Sequence, residues 1–276
     1  MGGARALAVE APPPGWCAPF LRALPTLASL DAAHEPIALE SAAGQALLAD
    51  CAPADRAAHD LLWPQYAPQQ GRTLCGAASI ATVLRAAAAA AAAAAVEGGD
   101  DAGAAAGGAV ALSRVCAGVG TVTEEHVLEA QDAVAAHDVR RRGVTLDELA
   151  AMLRSLGAAC ACTYARADGT AGGPCASAAA EADAMRDGLA ALHVALRGAP
   201  ARSVLVNYHM STAGQRPFRG HVSPLGAYHA PSGRFLVLDV WPETRPAWLS
   251  GDCLWAAMAA TDADSGRSRG WLSVSH

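Results

Sequence analysis

The chain has no lysine. All 20 of its basic residues are arginine, and against 26 acidic residues they leave a net charge of −6 over 276 residues. No arginine tract or basic stripe of useful length occurs, which excludes nucleic acid and anionic membrane surfaces as expected partners. Long hydrophobic runs are also missing. The longest, Ala86–Val96, is eleven residues of almost pure alanine, too short and too weakly apolar to cross a bilayer. The N-terminal MGGARALAVEAPPPGW lacks the continuous apolar segment of a secretory signal. A cytoplasmic location is therefore expected, with organelle targeting through residues 1–34 left open. Aromatic residues make up only 5%, and alanine, which buries little area, inflates the 53% apolar content. The core has to come from scattered Leu, Val, Ile and Trp. Cys17, Cys51, Cys75, Cys116, Cys160, Cys162, Cys175 and Cys253 contain no C-x-x-C pair. That excludes zinc-finger spacing and argues against a dense disulfide framework, leaving reduced, mostly buried thiols, one of them available as a nucleophile.

Residues 1–34, rich in Ala and Pro, read as a poorly ordered leader, and residues 35–276 as the folded domain. Residues 36–50 predict a short extended piece and then a helix capped by Ser41, with Gly44, Leu47 and Leu48 on successive turns. A Pro-punctuated loop, WPQYAPQQGRTLC, leads into a segment where Ala77, Ile80, Ala81 and Leu84 recur at helical spacing. Cys75 therefore stands at or just before a helix N-terminus. Ala/Gly-rich insertions near 86–111 and 168–180 carry no chemistry, the first reading as an extension of the Cys75 helix into low-complexity sequence. Between them, residues 144–157 predict a helix with a Thr145 cap, a capping box through Glu148 and a stop at Gly157. Arg140, Arg141 and Arg142 read as a solvated turn before it. A further helix is expected over 182–197, then strands over 203–210, 221–230, 234–240 and 271–276, with a helical interlude at 252–260. Helices followed by a mainly antiparallel sheet make an α+β fold.

Thiol chemistry needs a thiolate, a base that makes or holds it, and donors for the oxyanion of a tetrahedral intermediate. A helix N-terminus lowers a thiol's pKa, and Cys75 is the one cysteine placed that way; otherwise it is a small buried hydrophobe. His221 opens one strand and Asp239 closes the next, joined through the Ala230–Gly233 turn. Antiparallel pairing sets the two side chains opposite each other, within a residue or two of register. An Asp ending the run from Phe235 to Leu238 is costly unless satisfied, and a histidine ring N–H would satisfy it. The result is triad logic in the order Cys75, His221, Asp239. The competing assignment is a turn-forming Asp239 and a loop His221. Gln69, six residues before Cys75, can donate its side-chain amide to the oxyanion beside the Cys75 N–H, with Gln70 as the neighbouring alternative.

Several segments, taken in order, carry a family resemblance. They are IALESAAGQALL (37–48), QQGRTLCGAASIATVL (69–84), GVTLDELAAMLRSLGA (143–158), SVLVNY (203–208), GHVSPLGAY (220–228), RFLVLDV (234–240) and LWAAMAATDADSGRSRGWLSVS (254–275). Over about residues 36–276 the chain resembles the catalytic domain of the phytochelatin synthase family, a papain-like cysteine peptidase fold, especially its short bacterial and cyanobacterial forms. The resemblance implies that Cys75 attacks the Cys–Gly bond of glutathione, expelling glycine and leaving a γ-glutamylcysteinyl thioester. It implies His221 as base and then acid, Asp239 as its orienter and Gln69 in the oxyanion hole. The thioester would pass to a second glutathione, building (γGlu-Cys)n-Gly peptides of use in heavy-metal detoxification, or to water, giving γ-glutamylcysteine.

Asp262 and Arg269 match family positions in the acyl-substrate pocket, Arg269 as a bidentate carboxylate clamp; the bland alternative is a surface salt bridge. The family usually has basic and Tyr-Pro-Pro character after the Asp. This chain reads VWPETRPAW (240–248), where Arg245 stands in for a basic substrate-binding residue and Glu243 is new. No cofactor is implied for the acyl chemistry, and no protein metal site. Cd²⁺ or another soft metal ion would enter as activator or as its glutathione thiolate. The Cys-rich C-terminal extension of longer eukaryotic members is not expected to supply metal sensing. The implied partners are glutathione, γ-Glu-Cys peptides and heavy-metal ions, with a homodimer left open. Two rivals remain: the same site acting mainly as a glutathione hydrolase, and a non-catalytic thiol metal-binding protein, which the lack of C-x-x-C clusters disfavours. Cys160 and Cys162 read as strand thiols and Cys175 as a loop thiol, and His209 and His229 as structural histidines.

Overall fold

The computed structural model describes residues 34–97, 121–166, 177–215 and 220–275. Residues 1–33 of the expected leader, and the parts 98–111 and 168–176 of the two insertions, lie outside the described residues. The chain divides into two units, Met1–Glu35 and Pro36–His276, and the architecture below is that of the second. Its elements are β1 (Ile37–Ala38), α1 (Ala42–Asp50), α2 (Pro53–Leu62), α3 (Cys75–Glu97), α4 (Glu124–Ala130), α5 (Ala136–Arg142), α6 (Leu146–Ser155) and β2 (Cys160–Tyr164). They continue with α7 (Ala178–Leu196), β3 (Arg202–His209), β4 (Gly220–His229), β5 (Arg234–Val237), β6 (Ala247–Ser250), α8 (Gly251–Ala259) and β7 (Gly270–Ser275). The strands form one antiparallel seven-stranded sheet in the order β1-β6-β5-β4-β3-β7-β2. The molecule is α+β, as the order of patterns predicts.

Local chemistry explains most of the helix ends. Ser41 accepts from the Gly44 N–H, and Thr145 from the Glu148 N–H, while the Glu148 carboxylate returns to the Thr145 N–H at 2.9 Å. Arg142 holds that carboxyl down at about 2 by hydrogen bonding, against its burial. Gly157 stands at φ 88°, where the left-handed turn after α6 suits a residue without a Cβ. Leu146, Leu149, Ala150, Met152 and Leu153 form the buried face of α6.

The expectation for residues 140–142 is corrected: they form the last turn of α5, and each arginine has a carboxylate partner, Glu125, Asp138 and Glu148 in turn. Their charge there complements the helix dipole. Helices α2 and α4 and strand β6 were not expected. α2 carries its apolar contacts on a mostly charged and alanine background, and β6 is only four residues long.

Helix α3 lies under the sheet and packs on β4. From Cys75 to Leu84 every residue is buried, so this stretch is a central helix rather than an amphipathic one. Small side chains permit that: Gly76 has Val144 and Leu149 within 3.1 Å of where a Cβ would sit. Buried hydroxyls find backbone acceptors, Ser79 on the Val222 carbonyl (3.1 Å) and Thr82 on that of Ala78 (3.0 Å). Counting from Cys75 rather than Ala86, the first 19 residues of this helix are long and apolar enough to cross a membrane, contrary to the sequence estimate. Yet 67% of that window is buried inside the protein, the mark of a core helix. The alanine tract is not pure filler either, since Ala86 and Ala87 belong to the core.

Strand β7 runs between β3 and β2, with Gly270 opposite both Asn207 and Tyr164. A Cβ on Gly270 would stand 2.0 Å from the Thr163 carbonyl oxygen, which cannot rotate away. Gly270→Ala is expected to cost about 1–3 kcal/mol or more of stability by forcing β2 off the sheet. An unchanged urea midpoint would contradict that.

Candidate active site

Four segments converge on Cys75. The thiol lies at the first residue of α3, with Leu74 as the residue before the helix, so the first N–H groups of α3 have no intrahelical acceptor. His221 is the second residue of β4, and Asp239 lies two residues beyond the end of β5. The ladder ends at Leu225↔Val237, but the chain stays beside β4: the Leu238 N–H donates to the Pro224 carbonyl at 2.8 Å. That continuation carries Asp239 to His221, where His221 Nε2 and Asp239 Oδ1 are 2.8 Å apart. With Nε2 engaged by the carboxylate, Nδ1 is the ring atom left for the hydrogen bond between His221 and Cys75.

Burial is the largest influence on both groups, and it opposes charge on each. For Cys75 it is outweighed by the His221 charge, the His221 hydrogen bond and bonds from the Val222 and Gly76 N–H groups, so the thiol's pKa falls below its ordinary value. For His221, the Asp239 carboxylate and the Cys75 thiolate outweigh burial and push the imidazole up to about 10. Each partner holds the other ionised. That is the direction a thiolate–imidazolium pair requires.

Asp239 is fully buried and accepts from all sides. Oδ1 takes His221 Nε2 and the Trp241 N–H (2.9 Å), while Oδ2 takes Tyr208 Oη (3.2 Å), Gln215 Nε2 (2.9 Å) and Thr244 Oγ1 (2.7 Å). Burial and then the Asp239 charge raise the Tyr208 phenol well above its ordinary value, so it remains a donor. Tyr208 and Trp241 present edges to the His221 ring at centroid distances of 5.7 and 6.4 Å, fixing its plane. Sequence reasoning found Asp239 but none of these supports. Tyr208, on β3, could have been noticed as the polar end of a hydrophobic strand. Gln215 and Thr244 come from loops, and no local pattern marks them.

Gln69 is buried in the loop before α3. Its N–H donates to the Val240 carbonyl (2.7 Å), tying this loop to the residue after Asp239, and its Nε2 donates to the Gly71 carbonyl (2.6 Å). One amide hydrogen of Gln69 is thereby used and the other left. The Gln70 N–H is engaged by Glu124 Oε1 at 3.0 Å.

Asp262 and Arg269 form a buried pair, not a surface bridge. Arg269 Nη2 lies 3.3 Å from Asp262 Oδ1, and Nη1 donates to Asn207 Oδ1 at 2.8 Å. Burial lowers the Arg269 pKa, opposed by the charges of Asp262 and Cys75, which places the guanidinium within electrostatic reach of the thiol. Gly220 lets it pass, because a Cβ there would stand 2.4 Å from Nη1. Arg269 Nε and Asn207 Nδ2 are buried donors without a hydrogen-bond partner among the described residues. Arg245 is elsewhere: its Nη1 binds both oxygens of Glu40, at 2.6 and 2.9 Å, in an exposed pair.

Of the histidines set aside, His229 is satisfied by Asp50 and Ser232, and His209 by Ser211 and Thr212 through Nδ1. Burial lowers the pKa of His209, and Arg269 lowers it further. Cys51, Cys75, Cys160 and Cys162 are free thiols, and among the described residues no group of three His, Cys, Asp or Glu could hold a metal ion. Cys175 lies outside the described residues.

Residues 114–271, more than half of the chain, match the phytochelatin synthase family. The interval contains His221, Asp239, Asp262 and Arg269, whereas Gln69 and Cys75 precede it. The chain is 40% identical over 78 residues to glutathione gamma-glutamylcysteinyltransferase 3 of Lotus japonicus, covering 27% of this chain and 15% of that protein. It is 39% identical over 80 residues to glutathione gamma-glutamylcysteinyltransferase 1 of Triticum aestivum, covering 26% and 14%. It is 40% identical over 60 residues to glutathione gamma-glutamylcysteinyltransferase 2 of Arabidopsis thaliana, covering 20% and 13%. The matched stretches thus span 15% or less of those relatives' lengths. The family match, running from before α4 into β7 and so through the strands that carry the His221–Asp239 pair and the Arg269 pair, shows that this chain belongs to the phytochelatin synthase family.

Proposed function

We propose that the chain is a glutathione γ-glutamylcysteinyltransferase with a papain-like site. One observation carries this reading: a buried thiol at a helix N-terminus, hydrogen-bonded to a histidine whose other nitrogen meets Asp239 at 2.8 Å. The Cys75 thiolate attacks the carbonyl carbon of the Cys–Gly bond of glutathione. The oxyanion is met by the Cys75 N–H and the remaining Gln69 amide hydrogen. As the C–N bond breaks, the His221 imidazolium gives its proton to the glycine nitrogen, leaving a γ-Glu-Cys thioester. The α-amine of a second glutathione then attacks. His221 takes its proton, and Cys75 leaves as thiolate.

The acyl donor's γ-glutamyl end is a zwitterion, and the Asp262–Arg269 pair offers a matching carboxylate and guanidinium, with Asn207 Nδ2 and Arg269 Nε as further donors. A soft metal ion enters this scheme as substrate, carried as the glutathione thiolate.

The hydrolase reading has one observation in its favour. Arg245, the basic residue of the segment after Asp239, is already paired with Glu40 and so offers less to a second glutathione. The non-catalytic metal–thiol reading is weakened because burial raises the Cys160 and Cys162 thiols, Cys162 to about 11, which disfavours the thiolates a metal needs.

Incubating the protein with glutathione, with and without Cd²⁺, and resolving products by mass tests all three. Oligomers of γ-Glu-Cys mark the transferase, and γ-glutamylcysteine with glycine alone marks the hydrolase. No product, or product that survives Cys75→Ala, removes the enzyme reading.

A further inference from the structure

Glu124, the first residue of α4, is buried although it is acidic. Its Oε1 accepts from two successive backbone N–H groups, Gln70 at 3.0 Å and Gly71 at 2.9 Å, while Oε2 is buried without a partner among the described residues. Burial raises the Glu124 pKa, and the two N–H groups only partly offset that. A carboxylate kept in such a place costs stability, so its position asks for a reason.

The Gly71 backbone it holds supplies one. The Gly71 N–H is on Glu124, and the Gly71 carbonyl accepts both Gln69 Nε2 (2.6 Å) and the Leu74 N–H (3.2 Å). Gln69 carries one oxyanion donor, and Leu74 immediately precedes the other, the N–H of Cys75. A single residue, Gly71, therefore links Glu124 to both donors. The turn is close-packed, since a Cβ on Gly71 would stand 2.6 Å from Leu74 Cδ1 and would have to displace that side chain.

We propose that Glu124 is a positioning residue that clamps the backbone at Gln70 and Gly71 so that the Gln69 amide and the Cys75 N–H converge on the oxyanion. The inference rests on the proposed roles of Gln69 and Cys75 but not on the identity of the substrate. Two reactions at the same thiol separate positioning from folding. Acyl transfer from p-nitrophenyl acetate passes through an oxyanion, whereas alkylation by iodoacetamide does not.

Glu124→Ala should slow Cys75 acylation by about 10–100-fold, the scale of a displaced donor. Its alkylation should stay within about twofold of wild type, because the ion pair is untouched. Glu124→Gln keeps a carbonyl acceptor for both N–H groups and should retain more of the acylation rate than Glu124→Ala. Acylation unchanged in Glu124→Ala, or both reactions slowed in proportion, overturns the proposal. If wild-type protein leaves glutathione intact while the acylation–alkylation split holds, the substrate assignment fails and the clamp stands.

Discussion

Replacing Asp239 by alanine should lower turnover by about 10⁴-fold, the loss seen when a triad member is removed. It should also destabilise the fold by about 3–5 kcal/mol, the cost of leaving buried partners of a charge unpaired. The site explains the double effect. Five donors converge on this carboxylate: His221 Nε2, the Trp241 N–H, Tyr208, Gln215 and Thr244. Alanine strips all of them at a fully buried point.

Asparagine should behave differently. Both N–H donors that cannot rotate, from His221 and Trp241, are on Oδ1, so the asparagine carbonyl will take that side. Its NH₂ then faces Tyr208 and Thr244, whose hydroxyls can turn, and Gln215, whose Oε1 is buried without a partner among the described residues and can flip to accept. The histidine tautomer is kept, and the loss in Asp239→Asn should stay well short of about 10⁴-fold. Equal losses in the two variants, measured as kcat alongside urea unfolding, would refute this account of Asp239.

His221→Ala should move the titration of Cys75 from below the ordinary thiol value to above it. Burial is the largest influence on this thiol, and it raises the pKa; the imidazolium is the chief counterweight. Removing the ring leaves burial opposed only by the Val222 and Gly76 N–H groups. At neutral pH an ordinary thiol is about 3% ionised, so iodoacetamide alkylation should drop by about tenfold or more. A midpoint that stays below the ordinary value would mean the helix N-terminus alone ionises Cys75.

The same pair sets the pH dependence of stability. The raised histidine contributes in full below its ordinary range and loses that contribution as pH climbs through about 10. The lowered thiol contributes above its ordinary value of 9.0 and loses its share as pH falls through the lowered pKa.

Much of this was legible along the chain, because the signals were local. Thr145 with Glu148 marks a helix start at three-residue spacing, and Gly157 marks its end. The Ala230–Gly233 turn between His221 and Asp239 sets a hairpin, and a hairpin's register is short-range information. The lack of lysine meant that any buried cation had to be arginine, and the family resemblance singled out Arg269.

What tertiary structure alone decided was the environment of those residues. Sequence left the Asp262–Arg269 pair readable as a surface bridge, because burial depends on what the rest of the fold lays over it. Here that is Asn207 on β3 and a Gly220 too small to block the guanidinium. It gave no sign that Arg245 pairs with Glu40, far away in sequence, at the surface. Nothing near Gln69 in the chain points to Glu124, and nothing near Asp239 points to Tyr208 or Gln215. A chain encodes a helix or a hairpin within a few residues. A buried charge is defined by partners from distant segments, and only folding brings those together.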